Sequence, residues 1–132
     1  MTKPTPMVVP LASVPMRSED EAPTKVRIAR LITHARCGSD LLLGRAWLDP
    51  GQSTNLWSTE AEEEVGDVDH HYGYLTEVYY VLRSRFRLTW TEGALEFGAD
   101  DAVYLAPGWQ YRLENIGTEL GELIYAFSPT PE

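Results

Sequence analysis

The sequence predicts an all-β domain, a sandwich or a closed barrel. Three observations carry that prediction. About nine short strand-like segments recur every ~8–12 residues. Turn signals separate them, among them Asp49-Pro50-Gly51, Thr91-Glu92-Gly93 and Pro107-Gly108. No stretch carries the apolar period of an amphipathic helix. With 132 residues and 43% hydrophobic content, the chain can fill one real core.

Residues 1–24 read as an arm preceding a single domain over 25–132. Pro4, Pro6, Pro10, Pro15 and Pro23 forbid a helix or a central strand there. Met7-Val8-Val9 and Leu11-Ala12 are still compatible with a short edge strand, the arm lying on the barrel or on a neighbouring subunit. From Val26 the period becomes two, with Val26, Ile28 and Ile32 alternating with Arg27 and Ala29. Cys37 to Asp40 is a turn, Leu41 to Leu48 a second strand, and Gln52 to Trp57 a third. The acidic run 60–64 interrupts the pattern as a solvated loop or a lid. Thr76 to Leu82 is rich in β-branched and aromatic residues and reads as a strand. Arg85 to Trp90 and Ala94 to Phe97 form a hairpin across Gly93. Ala102 to Leu105, Gln110 to Glu114 and Glu122 to Phe127 complete the set.

Charge and cysteine usage narrow the function. Eleven basic against twenty acidic side chains give a net charge of −9, which argues against nucleic acid or an anionic membrane as partner. A single cysteine, Cys37, allows no internal disulfide and fits a reducing cytoplasm. Met1-Thr2-Lys3-Pro4 leads into a proline-spaced segment without a long apolar core, so no secretory leader is expected. No apolar run approaches the ~20 residues of a spanning helix.

Two segments then carry a family resemblance. Glu77-Val78-Tyr79-Tyr80-Val81-Leu82 is similar to the end of the first motif of the cupin superfamily, where a glutamate opens a strand; the family's following glycine is here Ser84. Asp101 to Asn115, with Pro107-Gly108 as its turn, resembles the second motif. The resemblance implies a small single-domain cupin, a jelly-roll β-barrel with an extended N-terminal arm. It implies a lumen that takes a small molecule, no nucleotide cofactor, and pairing into a homodimer through arm and edge strands.

Metal-binding cupins present two spaced histidines, a glutamate and a third histidine. Against that pattern only Glu77 is in place. The nearest histidines, His70 and His71, are adjacent and further back, and the third position falls at Tyr111. A divalent metal (Zn, Fe, Mn or Ni) would therefore be held by His70, His71, Glu77 and Tyr111. In a strand only one of the two histidines can face the lumen; as loop residues they are otherwise simply solvated or ion-paired. Glu77 stands out without any resemblance, because a carboxylate on a strand of Val, Tyr and Leu is costly to bury unpaired. Tyr79 shares its face. Arg45, alternating with Leu43 and Trp47, is either a carboxylate clamp inside the barrel or a solvated exterior residue. Trp57 and Trp109 are core or line the pocket mouth.

Three functions follow. A metal held by this set would act as a Lewis acid in isomerase, lyase or cyclase chemistry on an oxygenated small molecule, with Glu77 and Tyr111 moving protons. A metal-free variant would use Glu77 and Tyr111 alone as acid and base, as in cupins resembling the ethanolamine-utilisation type. A third would bind a small ligand without chemistry.

Overall fold

Ten strands form two five-stranded sheets packed face to face, and the alternation of side chains along each strand builds the core between them. The computed structural model describes residues 3–62 and 68–132. In order the elements are β1 (Arg27–Ile32), a one-turn helix α1 (His34–Cys37), β2 (Leu42–Leu48), β3 (Trp57–Ser58), β4 (His70–His71), β5 (Thr76–Arg83), β6 (Arg85–Trp90), β7 (Gly93–Gly98), β8 (Ala102–Leu105), β9 (Gln110–Asn115) and β10 (Gly121–Ser128). One sheet has the order β1-β2-β10-β5-β8 and the other β4-β3-β9-β6-β7. This is an all-β jelly roll. No helix among the described residues is long and apolar enough to cross a membrane.

The period-two pattern sets what faces inward. In β5, Glu77, Tyr79 and Val81 are buried while Val78 and Tyr80 are exposed. In β10, Leu123, Tyr125 and Phe127 are buried, and the register sets Phe127 opposite Glu77. In β9, Tyr111, Leu113 and Asn115 are buried, as their shared parity predicts. Phe86 and Leu88 of β6 complete the floor of the core. Each such apolar side chain contributes ~1.5–3 kcal/mol on burial.

Between β5 and β6 the chain needs a left-handed turn residue. Ser84 occupies it with φ 76°. A glycine would adopt that conformation freely. Here the Ser84 hydroxyl instead donates to Asn115 Oδ1 at 2.8 Å, which anchors the strained turn to the buried end of β9.

Several expectations are corrected. The arm forms no edge strand over Met7–Val9. Leu11–Ser13 is a 3-10 turn, and the arm meets the barrel through the isolated bridge from Arg17 to Ile28 and through side-chain contacts such as Arg17–Glu132 and Asn55 to the Pro23 carbonyl. The strand foreseen over Gln52 to Trp57 reduces to an isolated Ser53–Glu114 bridge and the short β3. The turn foreseen from Cys37 starts as α1, closed by Gly38 in the left-handed region. His70 and His71, foreseen as loop or ligands, form β4 in parallel pairing with Trp57 and Ser58. The acidic run 60–64 lies partly outside the described residues.

Candidate functional site

The inner face of the β1-β2-β10-β5-β8 sheet is apolar except at four positions on three strands. β1 contributes Arg30, β5 contributes Glu77 and Tyr79, and β10 contributes Tyr125. With Trp57 of β3 and Tyr72 just after β4, they line a cavity of about 40 Å³ whose remaining wall includes Ile28, Ala46 and Leu123.

Glu77 is 4% exposed. Burial pushes its carboxyl well above the usual carboxylate range; the nearby Arg30 charge and the Trp57 N–H pull the other way without prevailing. Burial thus favours the neutral, proton-bearing form of the carboxyl. Its Oε1 has no hydrogen-bond partner. The Trp57 indole nitrogen faces it without completing a hydrogen bond and is itself unpartnered. Tyr79 is pushed well above its ordinary value by burial and then by Glu77, so it stays a neutral phenol.

Arg30 is as buried as Glu77, with its side chain 4% exposed. Its Nη1 donates to Glu132 Oε1 at 2.9 Å and its Nη2 to the Tyr72 hydroxyl at 3.1 Å. The guanidinium also lies over the Tyr72 and Phe127 rings, 5.8 and 5.9 Å from their centroids. Burial disfavours its charge, but Tyr125, Tyr72 and Glu132 around it more than offset that. Its Nε remains unpartnered, and so does the hydroxyl of the neighbouring Tyr125. Glu132 also takes Arg17, so the Arg30–Glu132 pair ties the C-terminal segment to the arm across this end of the barrel.

The structure brings some of the residues singled out in the sequence together and not others. Glu77, Tyr79 and Trp57 share the cavity. Tyr111 is buried in the same core, its ring 5.8 Å from that of Trp57, but it does not line the cavity. Its hydroxyl donates to the Ala106 carbonyl at 2.5 Å, and burial pushes its pKa up to about 12, with Glu77 contributing. Trp109 packs partly buried against the core and away from the cavity lining. Arg45 points outward: it pairs with Glu122 at 3.3 Å and lies over Trp47, while its inward neighbour Ala46 lines the cavity. The buried arginine is Arg30. Its signal was legible, since Arg30 shares the parity of Ile28 and Ile32 and therefore had to face inward with them. Tyr125 shares the parity of Leu123 and Phe127 and carried the same signal; Tyr72 carried none beyond being aromatic.

The proposed metal ligands do not converge. Among the described residues no three of His, Cys, Asp and Glu stand close enough to hold an ion. His70 and His71 are half-buried and line no part of the cavity with Glu77. His70 packs edge-on against Tyr72, with ring centroids 4.4 Å apart, and burial, then Arg30 and His71, lower its pKa. It supports the tyrosine that holds Arg30. The cationic place beside Glu77 is taken by a guanidinium, which would repel a divalent ion. This donor set does not fit a metal.

No family model matches the sequence, and no curated protein does. Solved structures match closely in shape. A predicted oxalate decarboxylase from Thermotoga maritima superposes with a TM-score of 0.69 at 20% identity, over 93% of this chain and 99% of that one. An RmlC-like cupin from Shewanella frigidimarina gives 0.66 at 17%, over 99% and 97%. A putative ethanolamine utilization protein Q from Salmonella typhimurium gives 0.66 at 18%, over 93% and 85%. At these identities the likeness is one of fold. The chain has the fold of a small cupin domain.

Proposed function

We propose that the protein is a metal-free cupin that binds a small oxygenated molecule in its lumen, with Glu77 as the proton-bearing group. One observation supports this reading above the others. Four buried polar atoms without partners (Arg30 Nε, Trp57 Nε1, Glu77 Oε1 and the Tyr125 hydroxyl) belong to residues that line one cavity. Unpaired buried polar groups cost roughly 1–3 kcal/mol each, so a site that keeps four of them is built for something that completes them.

The chemistry open to such a site is acid–base. A neutral carboxyl in an apolar wall can give its proton to a ligand oxygen and recover it, while Arg30 stabilises negative charge developing beside it. That serves isomerisation, elimination or cyclisation of an oxygenated substrate without a Lewis acid. Tyr111, with its hydroxyl spent on Ala106, serves this reading by backing Trp57 rather than by moving a proton.

The reading is tested by screening small alcohols, aldehydes, amides and acids for saturable binding by nuclear magnetic resonance, alongside metal analysis of protein purified without a histidine tag. Saturable binding at the Trp57 indole N–H without stoichiometric metal supports it. A stoichiometric metal lost on Glu77→Ala, or no lumen ligand at all, overturns it. Glu77→Gln should retain binding and abolish any turnover; Tyr111→Phe should retain both.

A further inference from the structure

We propose that the lumen ligand is a small monocarboxylate anion, of the size of formate or acetate, seated between Arg30, Trp57 and the carboxyl of Glu77. The proposal rests on the reading above that the lumen binds a small oxygenated molecule, and it names the class.

The donor balance of the site points this way. Arg30 Nε–H and Trp57 Nε1–H can only donate. The Tyr125 hydroxyl, set against Arg30, can donate as well, and Glu77, whose protonated form burial favours, adds an O–H. Up to four donors therefore face a space that offers few free acceptors. An alcohol or amine would bring further donors into it. A carboxylate brings two oxygens with about four lone-pair sites and no proton, which is the complementary pattern.

Charge agrees with the donor count. Among the residues lining the cavity Arg30 is the cation, and burial disfavours the charge on Glu77 that could neutralise it. Outside, Glu132 is shared between Arg30 and Arg17, so this three-residue cluster retains one positive charge. A monoanion in the lumen balances it. A dianion would leave an uncompensated buried charge, which is far more costly.

Size sets the upper limit. The cavity of about 40 Å³ has room for roughly three water-sized groups. Formate and acetate have three and four heavy atoms. The aliphatic wall at Ile28 and Leu123 suits a hydrogen or a methyl group opposite the donors. Arg30 also lines a surface groove of about 440 Å³ with Arg17, Arg36 and Glu132, so the same guanidinium stands at the lumen and at a cationic approach to it.

The experiment titrates the full chain with sodium acetate and sodium formate at fixed ionic strength, following the Trp57 indole N–H resonance. Acetamide serves as the neutral isostere and sodium chloride as the bare anion. Saturable shifts with acetate or formate, and none with acetamide or chloride, are expected. Acetamide binding as well as acetate would overturn the carboxylate class and leave lumen binding standing. Chloride competing equally with acetate would also overturn it, the site then being a general anion hole. Failure of every probe, together with failure of the wider screen, removes both readings. Arg30→Gln should abolish acetate binding. Because that variant can fail to fold, Trp57→Phe and Tyr125→Phe remove single donors without touching the charge. Read at backbone amides around Glu77, each should weaken acetate about tenfold or more. Unchanged affinity in both would overturn the proposed seat.

Discussion

Two buried polar side chains in this core differ in one respect, and the difference separates structure from function. Asn115 on β9 is fully buried and fully satisfied. Its amide donates to the carbonyls of Leu48 and Glu119, both at 2.9 Å, and its Oδ1 accepts from the Ser84 hydroxyl and the Gly117 N–H. It joins β2, the β5–β6 turn and the approach to β10 by four bonds. Glu77 on β5, equally hidden, leaves Oε1 without a partner and lies beside three other unpartnered polar atoms. A satisfied buried amide holds elements together, whereas an unsatisfied buried carboxyl costs stability.

The contrast predicts opposite signs for mutation. The largest effect is expected at Asn115→Ala, which leaves two carbonyls and a buried hydroxyl unpaired. It should destabilise by about 3–5 kcal/mol in urea unfolding, with a matching fall in Tm. Glu77→Leu should go the other way and stabilise by ~1–3 kcal/mol, because it replaces an unpaired carboxyl with apolar volume. A Glu77→Leu variant as unstable as Asn115→Ala would erase the distinction.

A smaller effect appears with pH. The folded pKa of Glu77 lies above its unfolded value near 4.5. Its contribution is therefore fully present below about 4.5 and is lost as pH rises toward the folded value, at most ~1.4 kcal/mol per unit. The groups facing it are Arg30, which stays charged, and Tyr72, Tyr79, Tyr111 and Tyr125, all raised and neutral through this range. Glu132, held low by Arg17, acts oppositely and loses its contribution as pH falls. Subtracting the Glu77→Gln curve from that of the wild type cancels Glu132. The difference should slope downward as pH rises above 4.5; a flat difference would mean that Glu77 ionises normally.

The smallest effect tests the other cluster. Ser84→Gly relieves a left-handed serine but loses its bond to Asn115. The two nearly offset, so stability should change by less than about 1 kcal/mol. A loss as large as that of Asn115→Ala would place the whole anchor in the serine hydroxyl.

Much of this was legible in the chain and some was not. The apolar parity of Thr76 to Leu82 marked Glu77 as inward before any fold was known, and the same parity marked Arg30, whose run Val26, Ile28, Ile32 contains it. Arg45 has parity too, but it shares the face of Leu43 and Trp47, which belong to the outer side of β2, while Ala46 and Leu48 face the cavity. Its burial against Glu122 and Trp47 resembles an inner face only locally. Tyr111 was placed on the right side, yet nothing near it in sequence says that its hydroxyl goes to Ala106 rather than to Glu77. His70 and His71 have the chemistry of ligands, and pairing with β3 turns them into support for Tyr72.

By itself the sequence determined an all-β sandwich or barrel and most of the side chains that enter its core, because strand propensity, turn residues and the two-residue period are local properties; the jelly roll came from the resemblance of its two motifs. Only the tertiary structure decided which of those side chains meet. Arg30 finds Tyr72 42 residues away and Glu132 102 residues away. A period of two fixes the face of a sheet but carries no information about the strand across the barrel, and it is that strand that leaves a buried donor paired or free.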